Sequence, residues 1–301
     1  MEILIGCDPE VFMMQDGRYV CAHNAIPGDK ANPHKVDKGA VQVDGMALEF
    51  NIDPASTAEE FVENINTVMA TLRSMVPGYE LVATPVAEFG AEYMQQIAKE
   101  APEALILGCE PDFNAWNDGK PNPKPDGERT FRTGAGHIHI GWTNGVDIND
   151  PDHLEACMMV VKQLDRSLAL ASILWDDDTQ RRTMYGQLGC FRPKPYGVEY
   201  RVLSNAWVKD ERLAAWVFNA AKKAVEALLN GDRWYEQGYM DSVFNLFNNP
   251  EYQEKQAWKD WAAIEARDYF GSVPIFNEKV KLAPKYNVLR DAFVDEFFAA
   301  M

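Results

Sequence analysis

Four segments of the 301-residue chain place polar or charged side chains two positions apart within otherwise apolar stretches. The pairs are Asp8 and Glu10, Glu49 and Asn51, His137 and His139, and Glu199 and Arg201. Residues two apart on a strand share one face, so each pair is predicted to lie on a single strand face. If the four strands are neighbours, carboxylates and imidazoles converge on one sheet face, where unpaired charge is costly unless cations bind.

This mixture of groups favours a hard divalent cation. Carboxylates with an occasional imidazole suit Mg²⁺ or Mn²⁺, whereas a zinc site typically uses more histidine or cysteine. Ile138 and Ile140 are predicted to face the core, which turns His137 and His139 to the opposite side. Each pair alone is also typical of a solvated strand face or a surface ion pair, so the interpretation depends on their joint occurrence.

Basic residues form a second group near the last of these pairs. They are Arg181, Arg182, Arg192, Lys194 and Arg201. In a chain of net charge −17, cations beside acidic strands indicate a receptor for transferred or leaving phosphate groups. We assign this role to Arg192 and Arg201, and expect Arg181 and Arg182 to pair with the aspartates at 176–178 instead.

Several common nucleotide and hydrolase motifs are absent. The chain has no Gly-x-x-x-x-Gly-Lys-Ser/Thr loop, no Gly-x-Gly-x-x-Gly after a strand and no Gly-x-Ser-x-Gly elbow. His23 and His34 fall in predicted loops and His153 in the first turn of a predicted helix, so all three are expected at the surface. P-loop, Rossmann and serine-hydrolase classes therefore lack support.

Composition and charge limit the remaining classes. With 47% hydrophobic and 25% charged residues the chain is an ordinary globular protein, and we expect one domain over 1–301 with a helical C-terminal portion from about 208. The charge of −17 disfavours binding to nucleic acid or anionic lipid. The start of the chain lacks signal-peptide features, and no apolar run reaches the ~18 residues of a membrane span, so we expect a cytoplasmic protein, in the host cytoplasm if phage-encoded. Five scattered cysteines without a C-x-x-C pair indicate reduced thiols.

The apolar patterns predict an α+β fold. Strands are predicted at 3–13, at 40–52 as a hairpin turning at Asp44-Gly45, and at 79–83, 104–109, 131–142 and 198–203. Helices are predicted after a capping box at Thr57 and Glu60, around Phe89 to Ile97, after Asp150-Pro151, and from Asp210 onward. The segment 117–130 is rich in proline and glycine and is predicted to be a long loop that serves as a lid.

Five motifs carry a resemblance to a known family. They are Gly6-Cys7-Asp8-Pro9-Glu10, the segment 41–51, the segment 108–116, Gly136-His137-Ile138-His139-Ile140-Gly141, and the segment 191–201. At these residues the chain resembles the phage-type COOH·NH2 ligases, type 2, a branch of the carboxylate–amine ligases related to glutamine synthetase and glutamate–cysteine ligase. The resemblance runs from residue 3 to about residue 207.

The resemblance implies a curved antiparallel sheet backed by helices, which holds ATP and two or three divalent metals, Mg²⁺ or Mn²⁺. The implied metal ligands are Asp8, Glu10, Glu49, His137 and Glu199. Asp8 is also implied to contact the cofactor, and the residues implied to face the phosphates or the acyl phosphate are Arg192, Lys194 and Arg201. From their acidity and their place near the motifs, Asp44, Glu110 or Asp112 are expected to bind or deprotonate the ammonium group, and Asp44 is our catalytic candidate.

The implied reaction is ATP-dependent formation of an amide or isopeptide bond. A carboxylate attacks the γ-phosphate, and an amine then displaces phosphate from the acyl phosphate. The substrates are expected to be small-molecule or peptide carboxylates and amines. Two alternatives stay open: a metal-dependent amidohydrolase, suggested by His-x-His with many aspartates, and a non-catalytic nucleotide-binding relative. ATP turnover that requires both co-substrates would separate the ligase from either.

Overall fold

The fold combines antiparallel sheets with helices, which confirms the predicted α+β class. The computed structural model describes residues 2–106, 112–123, 129–176, 178–236, 240–249, 251–252, 256–271 and 273–274. The strands are β1 (Leu4–Cys7), β2 (Glu10–Gln15), β3 (Arg18–Val20), β4 (His34–Val36), β5 (Gly39–Asp44), β6 (Ala47–Ile52), β7 (Glu80–Val82), β8 (Val86–Glu88), β9 (Phe113–Asn114), β10 (Lys120–Pro121), β11 (Phe131–Thr133), β12 (Ile138–Gly141), β13 (Cys190–Lys194) and β14 (Gly197–Tyr200). The helices are α1 (Ala58–Met75), α2 (Ala91–Glu100), α3 (Pro151–Leu164), α4 (Leu170–Ser172), α5 (Glu211–Leu229), α6 (Met240–Asn248) and α7 (Gln256–Phe270).

Among the described residues, the strands form two larger sheets and a pair. The first sheet has the order β1-β12-β14-β13-β9-β10, and the second has the order β3-β2-β6-β5-β4, with β7 paired to β2. Strands β8 and β11 form the separate pair. Each pairing between the named strands is antiparallel. Some of these strands are joined by hairpins, and others by longer connections that pass between the sheets.

Two segments predicted as single strands each divide between two sheets. The segment 3–13 breaks at Asp8-Pro9, because proline has no N–H to donate to a ladder, and β1 and β2 join different sheets. The segment 131–142 breaks at 134–137. There Gly134 and Gly136 approach residues 204–205 so closely that an added Cβ would lie 2.3 Å from Asn205 Nδ2 and 2.4 Å from Ser204 O respectively. The first break links the two larger sheets, and the second links the β8–β11 pair to the first sheet.

The predicted hairpin at 40–52 forms, with its turn shifted by one residue. Asp44 pairs with Ala47, so the turn residues are Gly45 and Met46 rather than Asp44 and Gly45. Gly45 takes the positive φ of +60° that such a turn needs. Asp44 therefore ends β5, next to the strand that carries Glu49.

Other strand predictions are confirmed only in part. The strands predicted at 79–83 and 198–203 form at Glu80–Val82 and Gly197–Tyr200. The strand predicted at 104–109 is wrong in its first half, because Pro102 begins a 3₁₀ turn over Pro102–Leu105. Residues 107–111, which hold most of the second acidic motif, and residues 124–128 of the predicted lid lie outside the described residues.

The helix starts agree with the predicted caps. Thr57 Oγ1 accepts a hydrogen bond from Glu60 N at 3.2 Å, and Glu60 Oε2 accepts one from Ser56 N at 2.8 Å. Asp150, the other predicted cap, caps α3 in the same way, and Asp210, predicted only as the start of a helical region, caps α5. Each cap satisfies backbone N–H groups that the first helical turn leaves unpaired.

Helices α1, α3 and α5 pack with the two larger sheets around the main core. Phe61 of α1 stacks on Trp207 at 6.0 Å and contacts Phe218 of α5 at 5.4 Å between ring centroids. Ile138 and Ile140 are fully buried in this core, as predicted, so their strand turns its histidines to the other face. In the part of the chain described, no helix combines the length and apolar character needed to cross a membrane.

Candidate functional site

Two rows of side chains run across the neighbouring sheets. In the first sheet, His139 lies opposite Glu199 on β14, and Glu199 lies opposite Arg192 on β13. In the second sheet, Glu10 lies opposite Glu49. Asp8 sits at the break between β1 and β2, where its N–H donates to His137 O at 3.4 Å, so it lies between the two rows.

The carboxylates of Asp8 and Glu199 share two imidazoles. His137 Nδ1 lies 3.4 Å from both Asp8 Oδ1 and Glu199 Oε1, and His139 Nε2 lies 3.1 Å from Asp8 Oδ2. The other ring nitrogen of His139, Nδ1, is hydrogen-bonded to the Tyr196 hydroxyl. This bond fixes the imidazole plane of His139 against the two carboxylates.

Three cations surround the fully buried carboxylate of Glu199. Its Oε2 lies 3.2 Å from Arg192 Nη1 and 2.8 Å from Lys194 Nζ, and its Oε1 contacts Arg201 Nη1. Arg201 Nε also pairs with Asp112, a residue to which the sequence assigned no specific partner. The predicted phosphate-facing cations therefore meet on one carboxylate.

Burial and neighbouring charges shift the pKa values of these residues in different directions. Burial would raise the pKa of Asp8 and Glu199, but His139 beside Asp8 and Arg201 beside Glu199 hold both pKa values well below the usual range. Burial and the charge of Arg201 lower the pKa of His137 to about 4. The pKa of His139 is raised, because Asp8 more than offsets its burial. The carboxylates are therefore ionised and His137 is neutral near pH 7, the forms in which they bind metals.

A second group consists of carboxylates alone, Glu10, Asp44 and Glu49. Burial and the charge of Asp44 raise the pKa of Glu10 to about 7, and burial and the charge of Asp8 raise that of Glu49 well above its usual value. Lys30 Nζ lies 3.6 Å from Asp44 Oδ2, and Ala135 N donates to Glu10 Oε2 at 2.8 Å. Like charges held this close favour a bound cation.

The donor atoms fit divalent metals. Among the described residues, Asp8, His139 and Glu199 bring ligand atoms within 4.8 Å of one another, and so do Glu10, Asp44 and Glu49. Asp8 Oδ1 and His139 Nε2 are buried and make no hydrogen bond of good geometry, although they lie 3.4 Å from His137 Nδ1 and 3.1 Å from Asp8 Oδ2 respectively, so both atoms can accept a metal. Carboxylate oxygens with one imidazole match the predicted Mg²⁺ or Mn²⁺.

The ligand sets differ in detail from the prediction. The three-residue group uses His139, while His137 lies beside it between the same carboxylates. Asp44, our catalytic candidate, groups with Glu10 and Glu49 instead of standing apart. The alternation of histidine and isoleucine predicts the face of both imidazoles but not which one completes the three-residue group.

Both groups contribute carboxylates to the wall of one cavity, but His139 does not line it. Of the predicted site residues, those on its wall are Asp8, Glu10, Asp44, Glu49, His137, Arg192, Glu199 and Arg201. Lys194 is not on that wall but reaches Glu199 from beside it. Asn51, the partner of Glu49 in the sequence pattern, does not line the cavity.

Arg181 lines this cavity, and its guanidinium makes no ion pair with the described aspartates, although the charges of Asp176 and Glu10 act on it. It donates to Val202 O at 2.6 Å and to Arg201 O at 3.2 Å. Arg182 does pair with Asp176, at 3.4 Å. The sequence offers no signal that separates these adjacent arginines, because their paths depend on how the segment folds against β14.

The surface position predicted for His153 is wrong. This residue is buried, with Nε2 2.9 Å from Lys194 O, because α3 packs across the β13–β14 hairpin. It is a structural contact behind the sheet.

Part of the chain matches a known protein family. Residues 128–243 match a family model of ligases that join a carboxylate to an amine. The family is described as Phage phiEco32-like COOH.NH2 ligase-type 2, and the match agrees with the resemblance seen in the motifs. The matched segment contains the histidine strand and β13 and β14, but not Asp8, Glu10, Asp44 or Glu49.

Among solved structures, the chain is similar to a bifunctional glutathione synthetase from Pasteurella multocida, with a TM-score of 0.39 and 10% identity. The alignment covers 92% of this chain and 53% of that one, so the chain spans about half the length of that protein. A likeness this distant identifies neither the fold nor the substrates. No curated protein matches the chain.

Proposed function

We propose that the protein is an ATP-dependent ligase that forms an amide or isopeptide bond through an acyl phosphate, within a single glutamine synthetase-like domain. One observation carries the proposal: Asp8, Glu10, Glu49, His137 and Glu199, predicted from separate motifs, line the same cavity. The first and last of these residues are 191 positions apart in the chain, and together with arginines the five form this acidic wall. The family match over 128–243 supports the ligase class.

The acidic groups are suited to hold divalent ions. The residues that would hold them are Asp8, His139 and Glu199 in one group and Glu10, Asp44 and Glu49 in the other. When bound, such ions supply charge neutralisation for the phosphates of ATP. His137 lies within reach of Asp8 and Glu199 and remains in the proposed ligand set.

The cations act on the phosphoryl group that is transferred. A carboxylate that attacks the γ-phosphate is repelled by its charge, and Arg192, Lys194 and Arg201 supply donors at one point to offset that repulsion. The attack forms the acyl–phosphate bond and breaks the bond to the ADP oxygen. Glu199 positions all three cations, since each contacts its carboxylate.

The amine is proposed to bind beside Asp44. An ammonium group already lies there, because Lys30 Nζ is 3.6 Å from Asp44 Oδ2. A substrate ammonium that gives a proton to Asp44 becomes the nucleophile that displaces phosphate, forming the C–N bond. Burial first and neighbouring carboxylates second raise the pKa values of Glu10 and Glu49, and a cation beside them would offset the repulsion among these carboxylates.

The test is metal-dependent ADP release. Purified protein is supplied with ATP, Mg²⁺ and pools of carboxylates and amines, and products lighter by one water are sought by mass spectrometry. Hydroxylamine in place of the amine traps an acyl phosphate as a hydroxamate. A hydrolase would act without ATP, and a binding module would release no ADP under any condition.

Two variants locate the activity. Glu10→Gln and Glu199→Gln are expected to abolish ADP release while circular dichroism stays unchanged. Glu59→Gln, on the exposed face of α1, makes the same chemical change away from the cavity and is the matched control. Turnover by Glu10→Gln and Glu199→Gln at the wild-type rate would contradict the proposed site.

A further inference from the structure

Glu10, one of the carboxylates of the all-acidic group, is held at three of its atoms by residues outside its own sheet. Its N–H donates to Ala135 O at 2.9 Å, and its Oε2 accepts a hydrogen bond from Ala135 N at 2.8 Å. Its main-chain O accepts a hydrogen bond from Asn205 Nδ2 at 2.7 Å. The backbone and the carboxylate of Glu10 are therefore both fixed, by Ala135 and by Asn205.

Asn205 connects the two sides of this arrangement. Its N–H donates to the main-chain O of Gly134 at 3.2 Å, next to Ala135, while its side chain donates to Glu10. The Asn205 amide packs so tightly on Gly134 that an added Cβ there would lie 2.3 Å from Nδ2. One residue therefore fixes both the strand that begins at Glu10 and the backbone that bonds the Glu10 carboxylate.

Asn205 has this position without reaching the cavity. It is fully buried and is not on the cavity wall. Its Oδ1 has no hydrogen-bond partner among the described residues, so the amide acts through its N–H group. Any influence of Asn205 on a ligand in the cavity must pass through Glu10 and Gly134.

The position of Glu10 matters because its carboxylate is kept beside like charges. Glu10, Asp44 and Glu49 each bring a ligand atom within 4.8 Å of the others. Without a cation these carboxylates repel one another, and an unrestrained glutamate side chain would turn away. A carboxylate that is already in place loses less conformational entropy when a cation binds.

We propose that Asn205 is a positioning residue for the group of Glu10, Asp44 and Glu49: it raises the affinity of this group for a divalent cation by fixing Glu10 in the ligating position. The inference rests on the proposed function, which treats this group as a metal site. It adds a residue that touches neither the cavity nor the cation, and that none of the sequence motifs marks.

Mn²⁺ binding tests this role apart from turnover. Asn205→Ala is expected to weaken one class of Mn²⁺ site about tenfold, because partners behind a ligand orient it. The other class, at Asp8, His139 and Glu199, is expected to keep its affinity. Electron paramagnetic resonance titration of the full chain measures both dissociation constants. Wild-type affinity at both classes in Asn205→Ala would overturn the proposal.

Asn64 provides a matched control. It too is buried, its Nδ2 donates to a main-chain carbonyl, Asp53 O, at 2.9 Å, and its Oδ1 has no partner among the described residues. It lies on α1 and not on the cavity wall. Asn64→Ala is expected to lower the free energy of unfolding much as Asn205→Ala does and to keep both Mn²⁺ affinities. Equal weakening of Mn²⁺ binding in both variants would assign the effect to lost stability and contradict the proposal.

A double-mutant cycle tests whether Asn205 acts through Glu10. Glu10→Gln removes the charge that Asn205 positions, so Asn205→Ala is expected to cause little further loss of Mn²⁺ affinity in that background. If the two losses simply add, Asn205 acts by another route and the proposal is wrong.

Two further measurements keep the test open if Asn205→Ala does not fold. Asn205→Leu fills a similar volume without a donor and is expected to show the same loss of Mn²⁺ affinity. In the wild-type chain, Mg²⁺ is expected to slow hydrogen exchange at the Ala135 amide, because the cation holds the carboxylate that this N–H bonds. Unchanged exchange at Ala135 on Mg²⁺ binding would contradict the proposal.

The outcomes separate this inference from the proposed function. If the wild type binds Mn²⁺ and the Asn205 variants bind it equally well, the inference is wrong and the ligase proposal stands. If the Asn205 variants bind Mn²⁺ more weakly but no pair of substrates releases ADP, the ligase proposal fails and the role of Asn205 stands. If the wild-type chain binds no Mn²⁺ or Mg²⁺, the metal group and this inference are both wrong.

Discussion

Glu199 contacts more of the charged residues of the proposed site than a single metal ligand would need to. Its carboxylate is fully buried, yet it contacts Arg192, Lys194 and Arg201 and lies 3.4 Å from His137. A buried carboxylate is tolerated only when such partners offset its desolvation. Loss of this one side chain would leave three cations without their shared partner, so its effect extends beyond a single ligand.

Tyr196 is expected to support metal binding through His139. Tyr196→Phe removes the hydroxyl bound to His139 Nδ1 and keeps the ring. Because outer partners orient ligating imidazoles, we expect Mn²⁺ affinity at one site to fall about tenfold, measured by electron paramagnetic resonance titration. Tyr79→Phe, on another exposed tyrosine, is the control. Equal Mn²⁺ affinity in Tyr196→Phe and wild type would show that His139 does not bind the metal.

Asp165 is expected to make the free energy of unfolding depend on pH, and it is not one of the proposed site residues. It is fully buried, accepts hydrogen bonds from Trp116 Nε1 at 2.6 Å and Tyr200 Oη at 2.8 Å, and has its pKa raised by burial to about 7. The folded state therefore holds this proton more tightly than the unfolded state, whose pKa is about 3.9. The stability that Asp165 contributes falls as pH rises between these two values.

Asp165→Asn removes that titration. The free energy of unfolding of the variant, relative to wild type, is expected to increase by up to about 4 kcal/mol from pH 4 to pH 7. Urea denaturation across this range measures the difference. Glu155→Gln, exposed on the preceding helix, should show no such slope. A constant difference between Asp165→Asn and wild type at all pH values would mean that Asp165 keeps an ordinary pKa.

At the scale of elements, the site depends on two places where a predicted strand is interrupted. Asp8-Pro9 passes the chain from one sheet to the next, and Gly134 and Gly136 let the other crossing lie against residues 204–205. Side chains from two sheets thereby face one cavity. A continuous strand in either place would hold all its polar residues within a single sheet.

Gly136 is expected to be required for the second crossing. A Cβ at this position would lie 2.4 Å from Ser204 O and 2.6 Å from Trp207 Nε1, so Gly136→Ala is expected to lower the free energy of unfolding by about 2 kcal/mol or more. Gly141→Ala, at the end of β12, meets nothing nearer than 3.6 Å and should have little effect. Denaturation of both variants measures the contrast, which disappears if the 204–207 segment can move away.

The sequence predicts elements where local interactions decide them. Caps at Thr57, Asp150 and Asp210 mark helix starts, because a side chain bonds its own first turn. The strand breaks were missed because they depend on which sheet each half joins. Long-range contacts were missed for the same reason: Arg201 and Asp112 are 89 residues apart, and no local pattern relates them.

For the candidate site, the sequence predicts which residue types take part and which strand face they lie on. It predicts less well which side chains contact one another. Alternation around Ile138 turned both histidines away from the core, as the structure shows. It could not choose between them, since only the turn that carries Tyr196 brings a hydroxyl to His139. Arg132 had no motif at all, and its place at the cavity follows from the pairing of β11 with β8.

At the scale of the whole molecule, the net charge of −17 makes every added cation stabilising to some degree, so specific binding must be separated from screening. We expect MnCl₂ to raise the melting temperature more than NaCl of equal ionic strength. A ligand at about 100 times its Kd adds about 2.7 kcal/mol, which is roughly 4 °C for a chain of this size.

The variant Glu49→Gln separates specific Mn²⁺ binding from general screening of the net charge. Removing one charge from the group with Glu10 and Asp44 relieves repulsion, so the variant without added metal is expected to melt at or slightly above the wild-type temperature. The extra shift with Mn²⁺ should shrink, because one ligand is lost, while the response to NaCl stays the same. Glu59→Gln carries the same change on exposed α1 and should keep the full Mn²⁺ shift. If Glu49→Gln kept it as well, the metal effect would arise from the acidic surface at large and not from the cavity.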